Sequence, residues 1–252
     1  MRIRNQLAIL AITALLGGCA SEFAAFEEAK AANTLEAYQA FLTEYPDGVN
    51  KAAAVERIDN MEWTVAESEN TAEAYEGYMS AHPDGRHLQD AQLAAPKLAW
   101  QVADYSGDKA QVEGFLEKYG RSAYAKKGEA RLALLELGPK HLEVGPTRLE
   151  EGGKNRWTVA ADVKNVGQVD VITAEFRVAW RNGDGRVSRS KEWFLVVEKS
   201  DRYDAADELV APLVPGETRP FTFSFRRSEA ADDWVADVEH IQIGLVDLKT
   251  AG

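Results

Sequence analysis

Cysteine is nearly absent. Cys19 is the one cysteine among 252 residues, so no disulfide can close within the chain. Histidine is scarce too, with His82, His87, His141 and His240 alone. His82 and His87 stand across a Pro-Asp-Gly turn, which is not the helical spacing of a zinc site. No G-x-S-x-G, phosphate-loop or dinucleotide-binding glycine motif follows a suitable strand. These absences predict neither a cofactor, nor a metal, nor an enzymatic activity. Basic residues are outnumbered, 29 against 41 acids, for a net charge of −12. Nucleic acid needs a basic stripe, and docking on anionic lipid by charge alone needs the same, so neither is expected as a partner. Residues 26–137 carry 20 acids and 11 bases, whereas residues 138–252 carry 20 acids and 16 bases. The acidity therefore sits mainly on the first half, as solvated surface.

Long apolar runs are also missing. Leu7–Leu16, LAILAITALL, covers ten residues, short of the ~20 that cross a bilayer. It follows Arg2 and Arg4, and it ends in Leu16-Gly17-Gly18-Cys19. A basic start, a short apolar run and small residues before a cysteine fit a secretory signal peptide. The LGGC tetrad resembles the lipobox of bacterial lipoproteins. That resemblance implies removal of residues 1–18, diacylglycerol on the Cys19 sulfur and acylation of the new amino terminus. Several acyl chains, at roughly 0.8 kcal/mol per buried CH₂, give stable anchoring. Ala20 and Ser21 follow the cysteine where an inner-membrane retention signal would place aspartate, so the expected address is the outer membrane facing the periplasm. Inner-membrane retention is the alternative. Residues 19–25 are expected as the lipidated tether.

A 37-residue period then runs from Phe26 to about Leu137. It aligns Phe26, Trp63 and Trp100; Ala29, Ala66 and Ala103; Phe41, Tyr78 and Phe115; and Tyr45, His82 and Tyr119. A fixed period of this length reads as stacked supersecondary units that bury apolar faces against their neighbours. Each period predicts two helices. The short one starts after Asn33-Thr34, Asn70-Thr71 or Gly107-Asp108, residues suited to capping. It ends at Pro46-Asp47-Gly48 or Pro83-Asp84-Gly85, while the third copy has Tyr119-Gly120-Arg121-Ser122 instead. Pro96 falls in the second copy's long helix and predicts a kink or a later start. The aromatics read as knobs and the alanines as points of close approach. The W-x-x-A…Y-x-x-Y/F…P-D-G pattern resembles tetratricopeptide-like helical hairpins of bacterial envelope proteins, which implies three hairpins over residues 26–137 in an α-solenoid. Tyr38, Tyr75 and the tryptophans read either as shared core or as a peptide-binding stripe. Asp47 and Asp84 read as turn residues rather than as calcium ligands or catalytic acids.

Beyond Leu137 the apolar period moves towards two, and Gly138-Pro139 is expected to end the last helix. Trp157, Val159, Ala161 and Val163 alternate, as do Ile172 to Trp180 and Phe221, Phe223 and Phe225. Turn residues at Asn165-Val166-Gly167, Asn182 to Gly185 and Pro215-Gly216-Glu217 separate them. His240–Leu248 reads as a mostly buried strand, and Ser200–Glu208 as a polar loop. Six to seven short strands predict an antiparallel β-sandwich over 138–252. The stretches DVKNVGQVDVITAEFRVAWRNGDGRV and LVPGETRPFTFSF resemble bacterial Ig-like domains of the FxLYD and CARDB type, although the FxLYD signature itself is absent. Such domains are usually extracytoplasmic adhesion or assembly modules. The expected fold is thus a helical-hairpin array followed by an Ig-like sandwich.

Arg177, Arg181, Arg186, Arg189 and Lys191 cluster around the second hairpin, where alternation puts many on one exposed face. They are candidates for an anionic partner, either the acidic repeats or a glycan phosphate; outward strand polarity is the plainer reading. The whole sequence suggests a non-enzymatic, membrane-anchored adaptor for envelope proteins, with a glycan- or peptidoglycan-binding module as the alternative.

Overall fold

The computed structural model describes residues 21–153, 155–183, 187–196, 211–230 and 234–251. The signal segment, Cys19, Arg186 and the predicted Ser200–Glu208 loop lie outside them. Helices fill the first half of the chain and antiparallel sheets the second. Residues 21–32 form α1, so helix already occupies 21–25, expected as tether. There follow α2 (Leu35–Glu44), α3 (Lys51–Glu69), α4 (Ala72–Ala81), α5 (Leu88–Ser106), α6 (Lys109–Tyr119) and α7 (Ala125–His141). The chain divides into two compact units, Met1–Leu98 and Ala99–Gly252. The third repeat, counted with the helical array in the sequence, thus shares a unit with the sheets.

The short helices begin alike. Asn33, Asn70 and Gly107 take left-handed backbone, with φ of 49°, 47° and 65°, which asparagine and glycine tolerate. The next residue is the cap. Thr34, Thr71 and Asp108 accept the backbone N–H of Ala37, Ala74 and Ala110 through their side chains. The packing repeats as well. Ring centroids are 5.2 Å apart for Phe26–Phe41, 5.2 Å for Trp63–Tyr78 and 5.4 Å for Trp100–Phe115. Ala29, Ala66 and Ala103 are buried beside these contacts.

Pro96 lies inside α5, as the sequence placed it, and the helix starts well before it at Leu88, whereas Pro139, expected to end the last helix, lies inside α7. A proline removes one backbone donor. Around Pro96 the alanine-rich stretch Gln92–Trp100 has high helix propensity. Pro139 lies in the final turn of α7, which Leu142 closes by donating its N–H to Gly138 O.

In the second unit β3 (Arg156–Asn165) pairs along one edge with β1 (Leu142–Val144) and β2 (Arg148–Gly152), and along the other with β6 (Thr218–Arg226). The other sheet runs β5 (Val187–Val196), β4 (Val171–Arg181), β7 (Ile241–Thr250). All the pairings are antiparallel. The inward positions of both sheets share one core, with Phe176 against Phe221 and Trp180 against Phe225. Val159, Ala161 and Val163 are buried, as alternation predicts. The last strand is less buried than expected. Within β7, which lies at a sheet edge, Ile241 and Leu248 are buried and most of the residues between them are half-buried. There the Arg131 guanidinium of α7 donates to Leu245 O. Asn165 secures the turn after β3. Its amide donates to Val169 O and Leu213 O, and its side-chain oxygen accepts from Gly167 N.

Candidate functional site

Tyr38 and Tyr75 are buried, which places them in core. Asp47 is a solvent-facing turn residue 3.7 Å from Lys51 Nζ. The basic cluster does not form one exposed face. Arg189 lies opposite Trp180, and Lys191 opposite Val178, across the β4–β5 ladder. Cross-strand neighbours share a side of the sheet, so these two project towards the side of the core, at its rim. Arg189 donates to the carbonyls of Ser228, Glu229 and Ala230, and Lys191 pairs with Glu229 at 2.6 Å.

Arg177 and Arg181 take the opposite side, against α5. Arg177 Nη1 lies 2.6 Å from Asp104 Oδ2, and its Nη2 lies 2.9 Å from Glu192 Oε1. Its guanidinium covers the Tyr105 ring at 4.8 Å, a cation–π contact. Arg181 donates to Gln242 Oε1 and to Tyr105 O. Gln242 donates in turn to Ser106 O at 2.7 Å, and Tyr105 and Ser190 join their hydroxyls at 3.2 Å. Burial works against charge on Arg177, but the hydrogen bonds to Glu192 and Asp104 outweigh it and raise its pKa. Burial lowers that of Arg131, against the pull of Asp104. The signal missed in the sequence is Asp104, which sits one residue past the repeated Ala103 and carries no motif.

The first unit holds a second polar cluster. Tyr78, His82 and Glu62 replace residues that are Phe41, Tyr45 and Ala25 in the first repeat, and Phe115, Tyr119 and Ala99 in the third. All three substitutions meet at one corner. Tyr78 donates its hydroxyl to Asp59 Oδ1, and His82 Nε2 bonds to Glu62 Oε2. Arg86 N–H donates to Asp59 Oδ2 at 3.0 Å, and His87 N–H to the Tyr78 hydroxyl at 3.2 Å. The His87 ring stacks on Trp63 at 4.7 Å and 6°. Its Nε2 faces Asn60 Oδ1. Burial and the bond to Asp59 push the Tyr78 phenol up to about 12. Burial alone would raise the Asp59 carboxyl, yet Tyr78, Arg86 N–H and the two histidines hold it below its ordinary value. Tyr78 thus stays neutral and Asp59 stays charged near pH 7. Together they accept the Arg86 and His87 N–H groups at the start of α5.

Beside this corner, a shallow groove of ≈ 350 Å³ is lined by Phe26, Lys30, Ala53, Glu56, Arg57 and Asn60. Among the described residues, no group of three or more His, Cys, Asp or Glu side chains is arranged to hold a metal ion. Among the same residues, no helix is long and apolar enough to cross a membrane.

No family model matches the chain, and no curated protein does. A solved structure described as the ApaA protein of Bordetella pertussis aligns with 43% of this chain and 90% of its own, at 13% identity and a TM-score of 0.23. Similarity at that level carries no structural argument.

Proposed function

We propose that the protein is a lipoprotein, anchored through Cys19 and facing the periplasm from the outer membrane. In this reading it is a non-enzymatic scaffold for envelope proteins, built of tetratricopeptide-like hairpins and an Ig-like sandwich. The observation that carries the reading is the threefold recurrence of one hairpin, with a side-chain cap and an aromatic contact at equivalent positions in each copy. Repeats of this kind build extended surfaces suited to partner proteins. The Ig-like assignment draws support from two antiparallel sheets, of four and three strands among the described residues, over one core containing Trp180.

Glycan binding through a basic face of the sandwich is the lesser reading, since Arg177, Arg189 and Lys191 are engaged within the second unit. Crosslinking and affinity capture of the full-length protein from its native membranes, with Cys19→Ala as control, separates the two. A defined set of envelope proteins that disappears in the control is expected. Sedimentation with cell-wall sacculi and no protein partner overturns the scaffold reading in favour of the glycan module.

A further inference from the structure

The first repeat differs from the others at the end where the chain enters it. That end gathers the start of α1, the turn after α2 and the start of α3. Glu22 holds them together, its buried carboxylate accepting from Asn50 N at 2.9 Å and from Asn50 Nδ2 at 3.2 Å. On either side of this contact, Phe23 is 61% exposed and Val49 is 82% exposed. One period later the equivalent residues are Asn60 and Arg86, and then Lys97 and Ala123. In the second repeat, Asn60 bonds His87 and Arg86 bonds Glu56. Two large apolar side chains are therefore exposed in the first copy where the second copy has paired polar ones. Their exposure leaves core packing as no explanation for them.

We infer that this end of the first repeat sits in the bilayer interface, with Phe23 and Val49 as its lipid-facing residues. The inference rests on the lipoprotein reading of Cys19. Ser21, already helical, comes two residues after that cysteine. Two residues reach at most about 7 Å at ~3.5 Å each, close to the thickness of one headgroup layer, roughly 5–8 Å. So short a link keeps the start of α1 within about one headgroup layer, roughly 7 Å, of the anchor. Side chains on a helix lean towards its N-terminus, so Phe23 leans towards the anchored end. The charge most at risk from such a setting, Glu22, is already compensated by three contacts' worth of local structure: the two Asn50 donors and the turn at Gly48 packed against it. Interfacial segments bury apolar groups roughly 5–10 Å into the headgroup and acyl boundary. This range covers a side chain within a turn of the anchor. Attraction between charges is not required, in keeping with the acidic chain.

Site-directed spin labelling tests this. Cys19 is the one native cysteine, and its sulfur is blocked in the lipidated protein. Val49→Cys and Phe23→Cys therefore each give a single free thiol, and Val65→Cys, 56% exposed on α3, serves as the control. The full-length lipidated protein would be placed in vesicles of phosphatidylethanolamine and phosphatidylglycerol, and label accessibility to oxygen compared with a water-soluble nickel chelate. Oxygen is expected to win at 49 and 23, and the chelate at 65. Chelate access at 49 and 23 equal to that at 65, in protein shown by mass spectrometry to carry lipid on Cys19, overturns this inference and leaves the anchor standing. Protein without lipid on Cys19 overturns both.

Discussion

Glu22 and Asp59 stand one period apart and perform the same task. Each is a buried carboxylate on one long helix that accepts a backbone N–H where the next long helix begins, Glu22 from Asn50 at 2.9 Å and Asp59 from Arg86 at 3.0 Å. Free N–H groups at a helix start favour a negative partner. One period further the position is Pro96, which has no carboxylate to offer. The third turn, which also lacks the Pro-Asp-Gly sequence, closes on its own Ser122, whose hydroxyl accepts from Tyr124 N at 3.3 Å.

Asp59→Ala leaves the Tyr78 hydroxyl and the Arg86 N–H without their acceptor. A loss of roughly 1–3 kcal/mol is expected for buried groups left unpaired, read as a lower urea midpoint for the first unit. The acid limb should change as well. Asp59 has a folded pKa below its unfolded value near 3.8, so its contribution is complete above that value and is lost as pH falls through the folded pKa. The wild-type stability curve should drop below about pH 4 more steeply than that of Asp59→Asn.

Tyr78 governs the opposite limb. Its pKa is raised from 10.0 to about 12, so the neutral phenol favours the folded state. That stability is complete below pH 10 and is lost as pH rises from about 10 to 12. In a phenolate absorbance titration of the folded protein, the Tyr78 phenol should ionise near 12. Tyr78→Phe, the residue of the other two repeats, should remove that step.

The caps offer a quantitative check on the repeat itself. Thr34→Ala and Thr71→Ala each delete a side-chain acceptor of equivalent geometry. Each should cost about 1 kcal/mol, and the two costs should match within measurement error. Markedly unequal losses by chemical denaturation would show that the two hairpins, alike in sequence register, are not alike in energetics.

Period and alternation made much of the fold legible: caps, turns, ring contacts and the inward strand positions all follow from local residue chemistry. The start of α5 ahead of Pro96 and the run of α7 past Gly138-Pro139 did not, because the neighbouring turns hold a helix through one lost donor. The polar corner was present in the sequence as departures from the register at Glu62, Tyr78 and His82. Those departures gain meaning only when folding brings all three side chains together around Asp59. The seam in the second unit was not legible at all. Alternation identified Arg177 and Arg181 as outward-facing, but which helix covers an outward face is decided by tertiary packing, far from either residue in sequence.

That seam yields the sharpest test of the second unit. Arg177 and Asp104 are both largely shielded, with 17% and 18% of their side chains exposed, and each has further partners in Glu192, Tyr105 and Arg131. Removing one member strands a desolvated charge. Breaking a pair buried in this way costs about 3–5 kcal/mol, whereas replacing both members by apolar residues of similar volume is often nearly neutral. Arg177→Met is therefore expected to lower the stability of the second unit by that order, and Asp104→Leu comparably. The double variant should recover a large part of the loss, so the cycle would show strong coupling. Raising salt should alter the result little, since shielded pairs are weakly screened. Additive losses in the cycle would mean that Arg177 is held by Glu192 and the strand ladder alone, with Asp104 a bystander.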